Sequence, residues 1–380
     1  MKTAIWIYLF IFIASFDLHA QYPILTPYAI SLGAAPSFIG LMMGMYSITH
    51  VPGNLMASVW IDRFGSKIFI VCSLFIAGII LLFQAIITNP WQLLVLRSIA
   101  GFVLAFLSPA GLAILAKLSS NSVTQGKLMA GNGLVHTIAS VGSPAAGALL
   151  VAQIGFSQAF VILGWILILT SLFAAIFLKK PANINDKTQA IEEDNGIAAP
   201  YLPWRVYCIP VALSCSQGIL SFELPLLIQS QGSILTSGLL FSVISIGSLI
   251  TLCMLFITKI NPAVRTIYGS LLLAILYYIL AADLKVPFML ILLMIGIVKG
   301  VIFPALSHWL ILLSEGRKYG RTFSILSIAF SIGAFIGPML AGQIRDYVSP
   351  YFIAFFFIML AIIINGRYSI KQPFIYVKEG

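Results

Sequence analysis

The sequence predicts an all-α integral membrane protein of twelve transmembrane helices arranged as two six-helix bundles. Three observations carry this prediction. Of 380 residues, 60% are hydrophobic and only 8% are charged, whereas a soluble domain carries charge on roughly a quarter of its residues. Twelve apolar runs are long enough to cross a bilayer, for which about 20 residues suffice. Between the sixth and seventh runs lies one long polar stretch, 179–203, holding Lys179, Lys180, Asp186, Lys187, Glu192, Glu193 and Asp194.

The runs fall near 5–30, 37–61, 67–87, 91–116, 127–152, 157–178, 205–230, 236–258, 263–283, 286–313, 320–346 and 350–366. The first could pass for a secretion signal because Lys2 precedes it. Asp17 and His19, however, interrupt the expected cleavage region, Leu18 is large, and apolar character resumes to Ile30, so a retained first helix is expected. The expected domains are an N-terminal bundle at 1–178, a flexible cytoplasmic linker at 179–203, and a C-terminal bundle at 204–380 ending in a short cytoplasmic tail.

Orientation follows from the basic residues. With the amino terminus inside, seventeen Lys and Arg fall on the cytoplasmic side, and only Lys285 and Arg345 fall outside; Arg97 and Lys299 remain within helices. Both termini are therefore expected in the cytoplasm, in a plasma or bacterial inner membrane. The net charge of +10 is spread singly over the ends of apolar runs. That pattern sets topology and builds no polyanion site, so nucleic acid is not an expected partner. Cys72, Cys208, Cys215 and Cys253 lie inside apolar segments without Cys-x-x-Cys spacing and read as packing residues.

The two halves repeat. Gly101 to Ser108 aligns with Gly300 to Ser307 at an offset of 199, Pro144 with Pro338 at 194, and Pro27 and Gly40 with Pro225 and Gly238 at 198. Near-equal offsets along the chain mark two parallel six-helix repeats.

Between the second and third runs stand Asp62, Arg63, Phe64, Gly65, Ser66 and Lys67. So short a connection is a tight turn at one membrane face, with Gly65 free to take a positive φ. The stretch resembles the loop between helices two and three of the major facilitator superfamily, Gly-x-x-x-Asp-Arg-x-Gly-Arg-Lys. Asp62, Arg63, Gly65 and Lys67 match it, while Ser58 and Ser66 replace a glycine and an arginine. The resemblance implies a cytoplasmic gate at this turn and a major facilitator fold over the whole chain. Gly333-x-x-x-Gly337-Pro338 in helix eleven combines small residues, which permit close helix approach, with a proline that permits a bend. Its counterpart in helix five, Ala139-x-x-x-Ser143-Pro144-x-x-Gly147-Ala148, resembles the exporter motif Gly-x-x-x-Gly-Pro-x-x-Gly-Gly. Helix packing without bearing on transport direction is the other reading of the helix-five copy.

Charges inside membrane helices are costly, at least about 2.5 to 3.5 kcal/mol each on insertion scales, and usually mark function. At 1.5 Å per residue, Asp17 lies about 18 Å and Arg97 about 20 Å from the inner face, so the two are expected to pair. Arg97-x-x-x-Gly101 also resembles the helix-four motif of proton-coupled members of the family, which implies that the arginine regulates a cavity carboxylate; a neutralised structural pair is the alternative. Glu223 in helix seven, about 22 to 27 Å from the inner face, and Lys299 in helix ten, about 12 Å from it, stand too far apart for a direct pair. Ser221-Phe222-Glu223 looks like the Ala-Phe-Glu segment of quinolone and multidrug efflux pumps. Gly300 stands where those pumps carry an aspartate, with Lys299 beside it, which favours an anionic or zwitterionic substrate as an alternative.

His19, His50, His136 and His308 all lie in predicted helices without His-x-x-x-His or His-x-x-x-Asp spacing. They are expected to be buried and hydrogen-bonded rather than metal ligands. No nucleophile elbow, phosphate loop or carboxylate pair suggests an enzyme. The expectation is a monomeric secondary transporter that moves a small amphipathic molecule, with the proton as coupling ion and no cofactor or metal. A specific metabolite transporter and a lipid flippase are the alternatives.

Overall fold

The computed structural model describes residues 2–118, 122–178, 204–229, 233–254, 257, 260–313 and 319–369. The linker expected over 179–203, the tail beyond Ser369 and the side chain of Asp62 lie outside the described residues. Among the described residues, helix occupies most of each of the twelve predicted spans. The elements are α1 (Lys2–Ala20), α2 (Tyr22–Ser31), α3 (Pro36–Phe64), α4 (Ser66–Gln84), α5 (Pro90–Leu104), α6 (Leu107–Lys117), α7 (Ser122–Phe177), α8 (Cys208–Gln229), α9 (Ile234–Cys253), α10 (Pro262–Ala281), α11 (Phe288–Leu313), α12 (Tyr319–Ile344) and α13 (Pro350–Ser369), with a 3-10 turn, Trp204–Tyr207, leading into α8. The all-helical class stands.

Where one predicted span appears as two elements, proline or glycine chemistry explains the break. α1 and α2 follow one another through Gln21, where Pro23 has no N–H for the carbonyl of His19. α5 gives way to α6 at Ala105 and Phe106, opposite the missing N–H of Pro109. Conversely, the fifth and sixth spans run together as α7, interrupted at Gly155, whose φ of 81° and ψ of 170° are not helical. Helix starts use the expected caps. The Asn89 side chain accepts from Trp91 N (2.8 Å) and that of Asn261 from Ala263 N (2.9 Å), each with proline at the first helical position.

The chain divides into two compact units, one of Met1–Ala199 with Ser221–Ser242, the other of Pro200–Leu220 with Val243–Gly380. In the first, α1 and α4 pack on α7, and α3 on α5; in the second, α10 packs on α11 and α13. Large apolar side chains such as Phe83, Ile176 and Ile363 are exposed on helices that also bury apolar residues. Helices apolar all round belong to a bilayer, where lipid covers the outer face. Between helices, hydroxyls bond backbone carbonyls: Ser73 to Val103 (3.0 Å) and Ser171 to Val71 (2.9 Å) in the first unit, Ser214 to Phe330 (2.6 Å) and Thr251 to Ile297 (2.8 Å) in the second. Such bonds tie helices together where lipid offers no hydrophobic contrast.

The internal repeat is visible in packing. A Cβ on Gly101 would stand 2.5 Å from Thr49 Oγ1, and one on Gly300 would stand 2.8 Å from Thr251 Cβ and 2.9 Å from the Ser248 carbonyl oxygen. Thr49 and Ser248 share the 199-residue offset of the two glycines. Each glycine therefore serves the same close helix approach within its own unit.

Candidate functional site

Asp17 and Gln21 are one helical turn apart, which puts them on the same face. Gln21 Nε2 donates to Asp17 Oδ2 at 2.8 Å, and Arg97 Nη1 donates to Gln21 Oε1 at 2.8 Å. All three side chains are buried. The expected Asp17–Arg97 pair is thus linked through a neutral amide, and no direct ion pair joins them. An amide fits between the two because it offers a donor on one side and an acceptor on the other.

α5 reaches this cluster because of the Arg97-x-x-x-Gly101 spacing. The two positions share a face, and the missing side chain of Gly101 lets the Tyr46 backbone of α3 approach. The Tyr46 ring then lies 4.4 Å from the Arg97 guanidinium carbon. A guanidinium stacked on an aromatic face and bonded to an amide keeps its charge among apolar helices by two contacts at once.

One turn away, the histidines depart from expectation. His19 and His136 meet edge to face, with centroids 5.0 Å apart and planes at 84°, and His19 also meets Tyr22 at 5.4 Å. His19 Nδ1 lies 2.7 Å from the Ser15 carbonyl oxygen, an acceptor only, so that nitrogen carries a proton. Tyr22 in turn lies 5.9 Å from Phe241. His50 bonds Asn54 (2.9 Å). The reading of four buried histidines is corrected: His136 and His308 are exposed, and His19 and His50 are half-buried. Among the described residues, no group of three His, Cys, Asp or Glu could hold a metal ion.

Glu223 is buried in α8, in the first unit, while Lys299 of α11 is half-buried in the second, its Nζ 6.0 Å from the Phe303 ring one turn on. At the charged turn, Gly65 has φ 89° and separates α3 from α4, with its N–H bonded to Ile61 O (2.9 Å). Arg63 and Gly65 are exposed and Lys67 is half-buried. The small-residue motifs are helix contacts. A Cβ on Gly147 of α7 would meet the Ala20 carbonyl oxygen at 2.5 Å; Gly333 and Gly337 of α12 lie against Val211 and Cys215 of α8, and Pro338 against Gly218. Pro144 and Pro338 lie inside α7 and α12.

Two apolar grooves, of about 390 Å³ beside Trp6, Phe10 and Phe173 and about 370 Å³ beside Trp204, Tyr207 and Phe357, are lined without a charged side chain. Neither includes Asp17, Arg97, Glu223 or Lys299. Sequence reasoning missed Gln21, although an amide four residues after an aspartate in an otherwise apolar run was the available signal.

The chain is matched over residues 7–284 by the family model of the Major Facilitator Superfamily. It belongs to that superfamily. This facilitator is a multi-pass membrane transporter. It is 24% identical to the multidrug resistance protein MdtG of Salmonella arizonae, over 97% of this chain and 94% of that protein. It is likewise 24% identical to MdtG of Enterobacter lignolyticus, over 90% and 85%. Its fold is similar to a bacterial homologue of the human lysosomal transporter Spinster, solved in an inward-facing and occupied conformation, with a TM-score of 0.80, 16% identity, and 98% and 97% of the two chains covered. In the unoccupied conformation of such a homologue the TM-score is 0.74, over 96% and 94%.

Proposed function

We propose that this facilitator is a proton-coupled exporter of small amphipathic compounds that works by alternating access between its two halves. The observation that carries the reading is the buried chain of Asp17, Gln21 and Arg97 amid largely apolar helices. A carboxyl group in such a place gains or loses its charge as its surroundings become dry or wet, so conformational change moves protons. Glu223, a second buried carboxyl, supplies another acceptor for a coupled proton. The multidrug resistance proteins it resembles support export of amphipathic compounds. The proton is the coupling ion, no cofactor takes part, the protein acts as a monomer in the cell membrane, and both termini face the cytoplasm.

The test is accumulation in proteoliposomes under an imposed pH gradient. Wild type accumulates an amphipathic dye only with the gradient. Glu223→Gln abolishes that accumulation yet permits substrate exchange. If the variant accumulates at the wild-type level, coupling resides on Asp17 alone; if wild type ignores the gradient, the proton-coupled reading falls.

Lys299 favours a second reading, transport of an anionic or zwitterionic metabolite. Its ammonium lies in a membrane helix, near an aromatic ring. A thermal-shift screen over dyes, antibiotics, amino acids and organic anions separates the two: stabilisation by anions, lost in Lys299→Met, supports the second.

A further inference from the structure

The two oxygens of Asp17 are held unequally. Oδ2 accepts from Gln21, and Oδ1 is buried without a hydrogen-bond partner among the described residues. The orientation of the Gln21 amide is forced by chemistry. Arg97 has donors only, so Oε1 must face it, and the NH₂ group must then face Asp17. The oxygen that accepts best from that NH₂ group is a carboxylate oxygen or the C=O oxygen of a neutral acid, because the O–H oxygen of an acid is a poor acceptor. It cannot at the same time present a proton to Gln21.

From this we infer that the coupled proton of Asp17 binds on Oδ1, and that Gln21 is the positioning residue that makes the choice. The inference rests on the proposed proton coupling and deepens it. The neutral acid keeps the Gln21 bond through its carbonyl oxygen, so the Asp17–Gln21–Arg97 chain stays connected while the negative charge at its end appears and disappears. Arg97 then feels protonation as a change of charge and not as a broken contact. What remains to hold its cation is the Gln21 oxygen and the Tyr46 face.

The other ionisable groups near Asp17 do not supply the same selection. Arg97 on α5, Tyr46 on α3 and Tyr22 on α2 interact with one another or with Asp17 electrostatically. None donates a hydrogen bond to either oxygen of Asp17. On α7, His136 lies against His19, and α6 carries no ionisable residue before Lys117.

The full-length protein in lipid nanodiscs, examined by infrared difference spectroscopy between alkaline and acid buffer, tests this. Wild type should show a carboxylic C=O band on acidification that Asp17→Asn removes. In Gln21→Met, which keeps the length but has no donor, that band should move to higher wavenumber, because the carbonyl has lost its hydrogen bond. The pH profile of substrate exchange should move with it, and Asp17→Asn should remove the dependence on residue 21. Gln21→Ala serves as the second variant if the Met variant does not fold. An Asp17 band at the same position in the Gln21 variant overturns the assignment, as does the lack of any Asp17-dependent band. The band shift without gradient-driven accumulation would overturn the proton-coupled function and leave the Oδ1 assignment standing. Accumulation that persists in Asp17→Asn without the band would do the reverse.

Discussion

The arginine of the buried cluster is held by a single hydrogen bond to an amide and by the face of a tyrosine. A planar guanidinium makes both contacts at once, stacking on the ring while an N–H at its edge donates to the amide, a geometry that an ammonium does not reproduce. Arg97→Lys is accordingly expected to lose transport nearly as completely as Arg97→Gln, measured as uptake rate at equal protein in the membrane. Asp17→Asn and Arg97→Gln should each impair the protein, because each leaves a buried charge without the opposite charge at the far end of the Gln21 amide. The double variant should be markedly less impaired than the sum, with a coupling of about 0.5 to 3 kcal/mol seen in unfolding or transport. Additive behaviour would mean that Gln21 does not transmit the interaction.

At the scale of helices, close approach is set where a side chain is missing. A Cβ on Gly101 would collide with the α3 backbone at Tyr46, whereas one on Gly133 of α7 would meet nothing within 4 Å. Gly101→Ala should lower the thermal midpoint in detergent, with an overpacking cost of about 1 to 3 kcal/mol. Gly133→Ala should leave the midpoint unchanged or raise it, by up to about 1 kcal/mol of helix preference. Equal effects at the two positions would contradict the packing described. At the charged turn, Gly65→Ala meets no neighbour but must hold φ 89° and ψ 142°, at a cost of about 1 to 3 kcal/mol. In the same turn Asp62→Asn should slow turnover with substrate affinity largely kept, as expected of a gate; lost affinity at unchanged turnover would argue against that role.

For the molecule as a whole, the distribution of Lys and Arg predicts both ends of the chain in the cytoplasm. A reporter fused after Gly380 should be active only on the cytoplasmic side, and activity confined to the outside would sink the assignment. The sequence by itself determined the membrane class and the position of every described span, because apolar length and the residues that punctuate it are local properties. It also singled out Asp17 and Arg97, since a charge in an apolar run is conspicuous. It pointed to the repeat, which the Thr49–Gly101 and Ser248–Gly300 contacts then displayed. Only the tertiary structure decided that Asp17 reaches Arg97 through Gln21 and that His136 faces His19. Helical spacing tells which residues share a face of one helix. Which face meets which neighbour is set by rotation and depth of whole helices, and these depend on packing at places such as Gly101 and Gly147, distant in sequence from the groups they bring together.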